Sequence, residues 1–177
     1  MVRGSRPARW TTALALSCAL AASARTPPAA VADEHDCTYD QQDQQRVVRE
    51  VARRYPGGRV EAKERRITWP LPSGGSVVFV YGGCDHLGSV VTRTEARTAA
   101  LPQARVFAVA TELAGKYWDK AVAKDLRTGL AKRAFHTETV DGRRYYHVRH
   151  ESLAQLYVEY EFSNGASRVT IAWSRTF

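Results

Sequence analysis

Gln155-Leu-Tyr-Val-Glu-Tyr-Glu-Phe-Ser-Asn164-Gly165-Ala-Ser-Arg-Val-Thr-Ile-Ala-Trp-Ser174 is the stretch that decides the fold. An Asn-Gly pair between two alternating apolar runs is the strongest short-range signal for a two-residue type I′ hairpin. Such a turn sets the register: Ser163 faces Ala166, and the pairs Phe162–Ser167, Glu161–Arg168, Tyr160–Val169, Glu159–Thr170, Val158–Ile171 and Leu156–Trp173 follow outward. Side chains alternate across a strand. Leu156, Val158, Tyr160, Phe162, Val169, Ile171 and Trp173 therefore form a core wall, while Glu159, Glu161, Arg168 and Thr170 meet water.

Working outward, Asp141-Gly142 marks a second hairpin over Phe135 to His150. Its turn places Val140 opposite Arg143, Glu138 opposite Tyr145 and His136 opposite His147, with Phe135, Tyr146 and Val148 on the core side. Two facing imidazoles with Glu138 beside them are a candidate divalent-metal or proton-sharing site. The competing reading is a solvated polar sheet face, which half-exposed sheets carry routinely.

Upstream, Val47, Val48, Val51, Ala52 and Tyr55 recur at helical spacing after Thr38-Tyr39-Asp40-Gln41, which resembles a capping box, and Pro56-Gly57-Gly58 stops the helix. Gln and Arg residues take its other side. Arg59 to Trp69 reads as one strand with a bulge, Ser76 to Tyr81 as a strand apolar on both faces, and Gly88 to Arg93 as a weaker strand. A long helix then starts at Leu101-Pro102, buries Val106, Val109, Ala110, Leu113, Tyr117 and Ala121, and runs to about Lys132 with a weak point at Gly115. The expected fold class is α+β: a mainly antiparallel sheet of about six to seven strands, in the order α-β-β-β-α-β-β-β-β, with two helices packed on one face. No internal repeat is visible in the sequence.

The first residues read as a secretory leader: Arg3, Arg6 and Arg9, then a short apolar run from Trp10 to about Ala22. Cleavage is expected after Ala24 or after Ala32, with Cys18 offering a lipoprotein alternative. No stretch reaches the roughly 20 apolar residues of a membrane-spanning helix. Taking residues 1–32 as the signal peptide leaves 33–177 as a single domain. Removing the four leader arginines from 26 basic residues leaves 22 against 18 acidic ones, a net charge of +4. The protein is thus expected to be exported, periplasmic or extracellular, where Cys37 and Cys84 read as a disulfide. On the chain-entropy model such a closure stabilises the fold by about 4 kcal/mol.

Three further groups carry candidate chemistry. His35-Asp36-Cys37 and Cys84-Asp85-His86 nearly mirror each other, so a Cys37–Cys84 bridge would gather His35, His86 and Asp85 into a possible cation site, or leave Asp85 and His86 as turn caps. Cleavage after Ala32 would place His35 third behind a free amine, the nitrogen set that Cu(II) or Ni(II) prefers. Lys116, Lys120, Lys124 and Arg127 form a basic stripe that suits an anionic surface or an acidic partner, or is simply a solvated helix face. No P-loop, GxSxG, GxGxxG or HExxH occurs, and the basic stripe lacks the aromatics and motifs of nucleic-acid binding. These readings favour a small exported, disulfide-bonded binding module without catalytic signature, acting as an inhibitor or accessory factor on a protein partner or binding an acidic envelope polymer. The alternative is a metal-binding or metal-dependent hydrolytic periplasmic protein. No cofactor other than a divalent metal is implied.

Overall fold

The computed structural model describes residues 39–84, 86–151 and 153–175. Contacts divide the chain into Met1–Val31 and Ala32–Phe177, and every described residue belongs to the second unit. Its elements are α1 (Gln41–Arg54), β1 (Arg59–Glu61), β2 (Arg66–Pro70), β3 (Ser76–Gly82), β4 (Leu87–Ala96), α2 (Gln103–Tyr117), α3 (Lys120–Ala131), β5 (Phe135–Val140), β6 (Arg143–Val148), β7 (Gln155–Ser163) and β8 (Ala166–Arg175).

The strands form one antiparallel eight-stranded sheet in the order β1-β2-β3-β4-β8-β7-β6-β5. Two four-stranded meanders, each preceded by helix, meet edge to edge at β4 and β8. This duplication of topology has no counterpart in the sequence. Among the described residues there are eight strands and three helices, against an expectation of six to seven and two.

Both differences have local causes. The run Arg59–Trp69 is not one bulged strand but β1 and β2, joined by a turn in which Arg65 N donates to Ala62 O at 3.0 Å and Arg65 takes φ +52°. The long helix breaks not at Gly115, which stays inside α2, but at Trp118, whose backbone is extended. Asp119 then caps α3 by accepting from Ala121 N at 2.8 Å. Because the break resets the helical phase, Val122 and Ala123 are buried and Ala121 is exposed, reversing the expectation for Ala121. Asp40 caps α1 in the same manner, through Gln42 N at 2.7 Å.

Both hairpin registers are as expected from their turns, with Ser163 on Ala166 and Val140 on Arg143. Asn164 and Asp141 each lead their glycine into positive φ, the requirement of a type I′ turn. Register then carries one apolar row across six strands: Ile67, Phe79, Val91, Ile171, Val158 and Tyr146, all buried. Val48 of α1, Ala110 and Leu113 of α2, and Leu126 and Leu130 of α3 complete a single core with this face. Burying each large side chain here stabilises the fold by about 1.5–3 kcal/mol relative to exposure. At Gly129 of α3 an added Cβ would strike Val148, so the absence of a side chain sets how closely α3 lies on β6.

Three further burial expectations change, the first being Thr170, which was expected to meet water and is only 7% exposed. Phe162, at the tip of β7, is exposed beyond the helical cover. Gln44, expected on the wet side of α1, is only 2% exposed. Its Nε2 donates to Gly83 O at 2.9 Å, and its Oε1 accepts from Gly83 N at 3.2 Å and from Arg65 Nη1 at 3.0 Å. A satisfied polar group thus pins α1 to the loop after β3.

Candidate functional site

The helices occupy one face of the sheet, and period-two alternation sends every second strand residue to the other. That second face has no helical cover among the described residues, and its chemistry follows from the strand registers. One row reads Arg66, Val80, Val90, Ala172, Tyr157, His147 and His136 across β2, β3, β4, β8, β7, β6 and β5. The adjacent row reads Thr68, Val78, Thr92, Thr170, Glu159, Tyr145 and Glu138. Val80 and Val90 are each 37% exposed, so β3 is apolar on both sides but covered on only one.

At the β5–β6–β7 end the rings form a continuous patch. His147 lies 5.7 Å from Tyr157 and 5.9 Å from Tyr145 between ring centroids, and 6.4 Å from His136 with the planes 28° apart. Tyr145 meets Tyr157 edge-on at 6.0 Å. Glu138 Oε2 sits 3.5 Å from His147 Nε2, an ion pair when the imidazole is protonated. Partial burial raises the Tyr157 phenol pKa above its ordinary value, helped by the charge of Glu159 and by Tyr145. It therefore stays a neutral donor and acceptor throughout the physiological range.

The charged groups of this face are largely ion-paired among themselves. Arg168 Nη1 reaches Glu161 Oε2 at 3.0 Å, while Arg143 lies 3.6 Å from Glu161 and 3.8 Å from Glu159. Hydrogen bonding to Tyr145, then the charges of Glu161 and Glu159, hold the Arg143 guanidinium above its usual pKa. Arg59 and Arg66 share Glu61 at 2.8 and 3.8 Å. In the middle of the face Thr92 and Thr170 bond hydroxyl to hydroxyl at 3.0 Å.

Of the residues singled out by sequence, His136, Glu138 and His147 are brought together, on the face and in the register read from the Asp141-Gly142 turn. Among the described residues no group of three His, Cys, Asp or Glu converges to hold a metal ion. His86 is exposed just before β4. Cys84 is a half-cystine, while Cys37, His35, Asp36 and Asp85 lie outside the described residues. The basic stripe is divided by the helix break. Lys116 lies in the last turn of α2, with its ammonium 5.2 Å from the centroid of Tyr117 and 5.6 Å from that of Tyr55. Lys120, Lys124 and Arg127 remain exposed together on α3.

Sequence reading left out Tyr157, Val80 and Val90. For Tyr157 the signal was present, since its parity in β7 puts it beside Glu159 on the wet face of the hairpin. For Val80 part of it was present, in a strand apolar on both faces, but the lack of a helix over one of those faces was not legible, nor was the pairing of Val90 with Ala172 across the long-range β4–β8 seam. Among the described residues no helix is long and apolar enough to cross a membrane. No protein-family model, no curated protein and no solved structure matches the chain.

Proposed function

We propose that this protein is an exported, disulfide-bonded binding module that docks a folded protein partner on the helix-free face of its sheet. The observation that carries this reading is the exposure of Val80 and Val90 on the same face as the ring patch of Tyr157, Tyr145, His147 and His136, with Ala172 between Val90 and Tyr157. Aromatic side chains with a polar tip, on one face with exposed valines and with paired charges, have the composition of protein–protein interface cores. The pairing of charges favours a protein over an acidic polymer. Each of Arg59, Arg66, Arg143 and Arg168 lies in an ion pair with a glutamate of the same face, so the face presents no row of uncompensated cations to a polyanion. Export is supported by the basic, then apolar, N-terminal sequence, and the Cys37–Cys84 bridge by the two cysteines left after cleavage together with the half-cystine at Cys84. In this reading the partner is bound and blocked or assisted, with no chemistry performed by the module itself.

A site-specific photocrosslinker tests the assignment in the cells that make the protein. Placed at Val90, it is expected to yield one saturable adduct that disappears when Tyr157→Ala is added. Placed at the exposed Thr128 of α3, it is expected to yield none. Equal adducts from both positions, or none from position 90, would reject the sheet face as the docking surface.

A further inference from the structure

The helix-covered side of the sheet contains a second feature, independent of the docking face. Where α1 and the α2–α3 joint flank β3, β4 and β8, a cavity of about 420 Å³ opens, within the size range of small-molecule sites. Its floor follows from register. Tyr81 pairs with Ser89 and Ser89 with Trp173, so the smallest side chain of the row lies between two aromatic ones. Val51 of α1 and Tyr117, Trp118 and Val122 of the joint form the walls.

The polar groups of this cleft are incomplete. Ser89 is 3% exposed and Trp118 7%. The Ser89 hydroxyl, the Trp118 Nε1–H and the Trp173 Nε1–H are all buried without a hydrogen-bond partner. Leaving a buried donor unpaired costs free energy, and native structures seldom do so without a reason such as an absent ligand or water. Trp69 provides the contrast inside the same molecule: its Nε1–H donates to Tyr55 O at 2.8 Å. Of nine buried side-chain polar atoms without a partner among the described residues, three belong to residues of this one cleft.

We infer that this cleft binds a flat aromatic small molecule bearing a carbonyl or carboxylate acceptor. The aromatic lining supplies ring faces, with Phe79 and Tyr81 parallel to within 1° at 6.4 Å. An indole N–H donates and does not accept, so the two orphaned indoles call for acceptor atoms on the guest. At the mouth the Arg175 guanidinium lies 5.6 Å from the Trp173 ring centroid, where it can also meet an oxygen of the guest. Glu50 and Asp119 share the mouth with Arg54 and Arg175, so the rim carries no net charge. Selection rests on ring shape and on the indole donors.

The test is a titration of the full protein with 2-naphthoate, read by the nitrogen–proton resonances of the indoles. Decalin-2-carboxylate serves as the non-aromatic control. Saturable shifts of the Trp118 and Trp173 signals, with Trp69 unmoved, are expected for naphthoate and not for the control. Ser89→Leu, which fills the floor, and Trp118→Phe, which removes one donor while keeping a ring, should each raise Kd at least tenfold while the Trp69 signal reports an intact fold. Absence of saturation at millimolar naphthoate, equal movement of the Trp69, Trp118 and Trp173 indoles, or unchanged affinity in both variants overturns the inference. Equal binding of the decalin acid shows a merely greasy cavity and overturns it as well.

Discussion

Tyr145 and Tyr146 are neighbours in one strand and live in different worlds. Tyr146 is fully buried among Phe107, Phe135 and Val158, with Phe107 edge-on at 4.8 Å and Phe135 at 5.5 Å. Tyr145 faces the other way, half-exposed, against His147 and Tyr157. The same contrast runs through the sheet, in Val91 against Val90 and Phe79 against Val80. One face is a core whose residues are chosen by volume. The other keeps side chains rich in hydrogen-bonding tips and apolar surface where stability makes no demand for them, and this is why the proposed docking activity belongs to it.

The largest test of that contrast is the pair Tyr146→Ala and Tyr145→Ala, compared by urea denaturation. Removing the buried ring should cost about 3–5 kcal/mol, and removing its neighbour about 1 kcal/mol or less. Similar losses would mean that the second face is also covered and would break the distinction. Gln44→Leu sharpens it from the covered side. There the Gly83 amide and the Arg65 guanidinium lose their acceptor, so a loss of about 1–3 kcal/mol is expected by the same measurement, although the new side chain is more apolar.

The smallest expected effect concerns Glu95, near the end of β4 and on the covered face. Burial alone would raise its pKa, but the hydrogen bonds and charges of Arg93 and Arg97, at 2.6 and 2.8 Å, outweigh it and hold the carboxyl below its ordinary 4.5. A depressed folded-state pKa contributes stability that is present above the unfolded value and lost as pH falls through the folded one. Glu95→Gln should therefore cost about 1 kcal/mol at pH 7, and the difference from the parent should shrink steadily below pH 4.5. A difference that persists unchanged at acid pH would assign the effect to packing.

Local rules made the two hairpins legible to the residue, because a two-residue turn leaves no freedom of register. They also placed His136 beside His147, although among the described residues no group of three His, Cys, Asp or Glu converges to hold a metal ion. The turn between β1 and β2 was hidden because Ala62-Lys63-Glu64-Arg65 contains no Gly, Asn, Asp or Pro, and its left-handed residue is an arginine. The α2–α3 break was signalled by Asp119 but masked by Gly115, which has weak helix propensity and yet sits on an exposed turn where packing decides. Gln44 was misplaced because helical periodicity ranks residues by polarity and cannot anticipate the loop that satisfies this amide. The joining of two meanders through β4 and β8, and with it the cleft above Ser89, arises from pairs far apart in sequence.

That seam has a kinetic consequence. Leu87 pairs with Arg175 and Ala96 with Ala166, so the strands that unite the halves are separated by 70 to 88 positions. The β1–β4 meander can form from its own turns, but its β4 edge stays open until β8, the last described strand, is available. Closing such non-local pairs is intrinsically slow and leaves an adhesive strand edge exposed meanwhile. The sheet is thus completed only after synthesis of β8, and the vulnerable interval of this chain's life is the wait of its first half for its last strand.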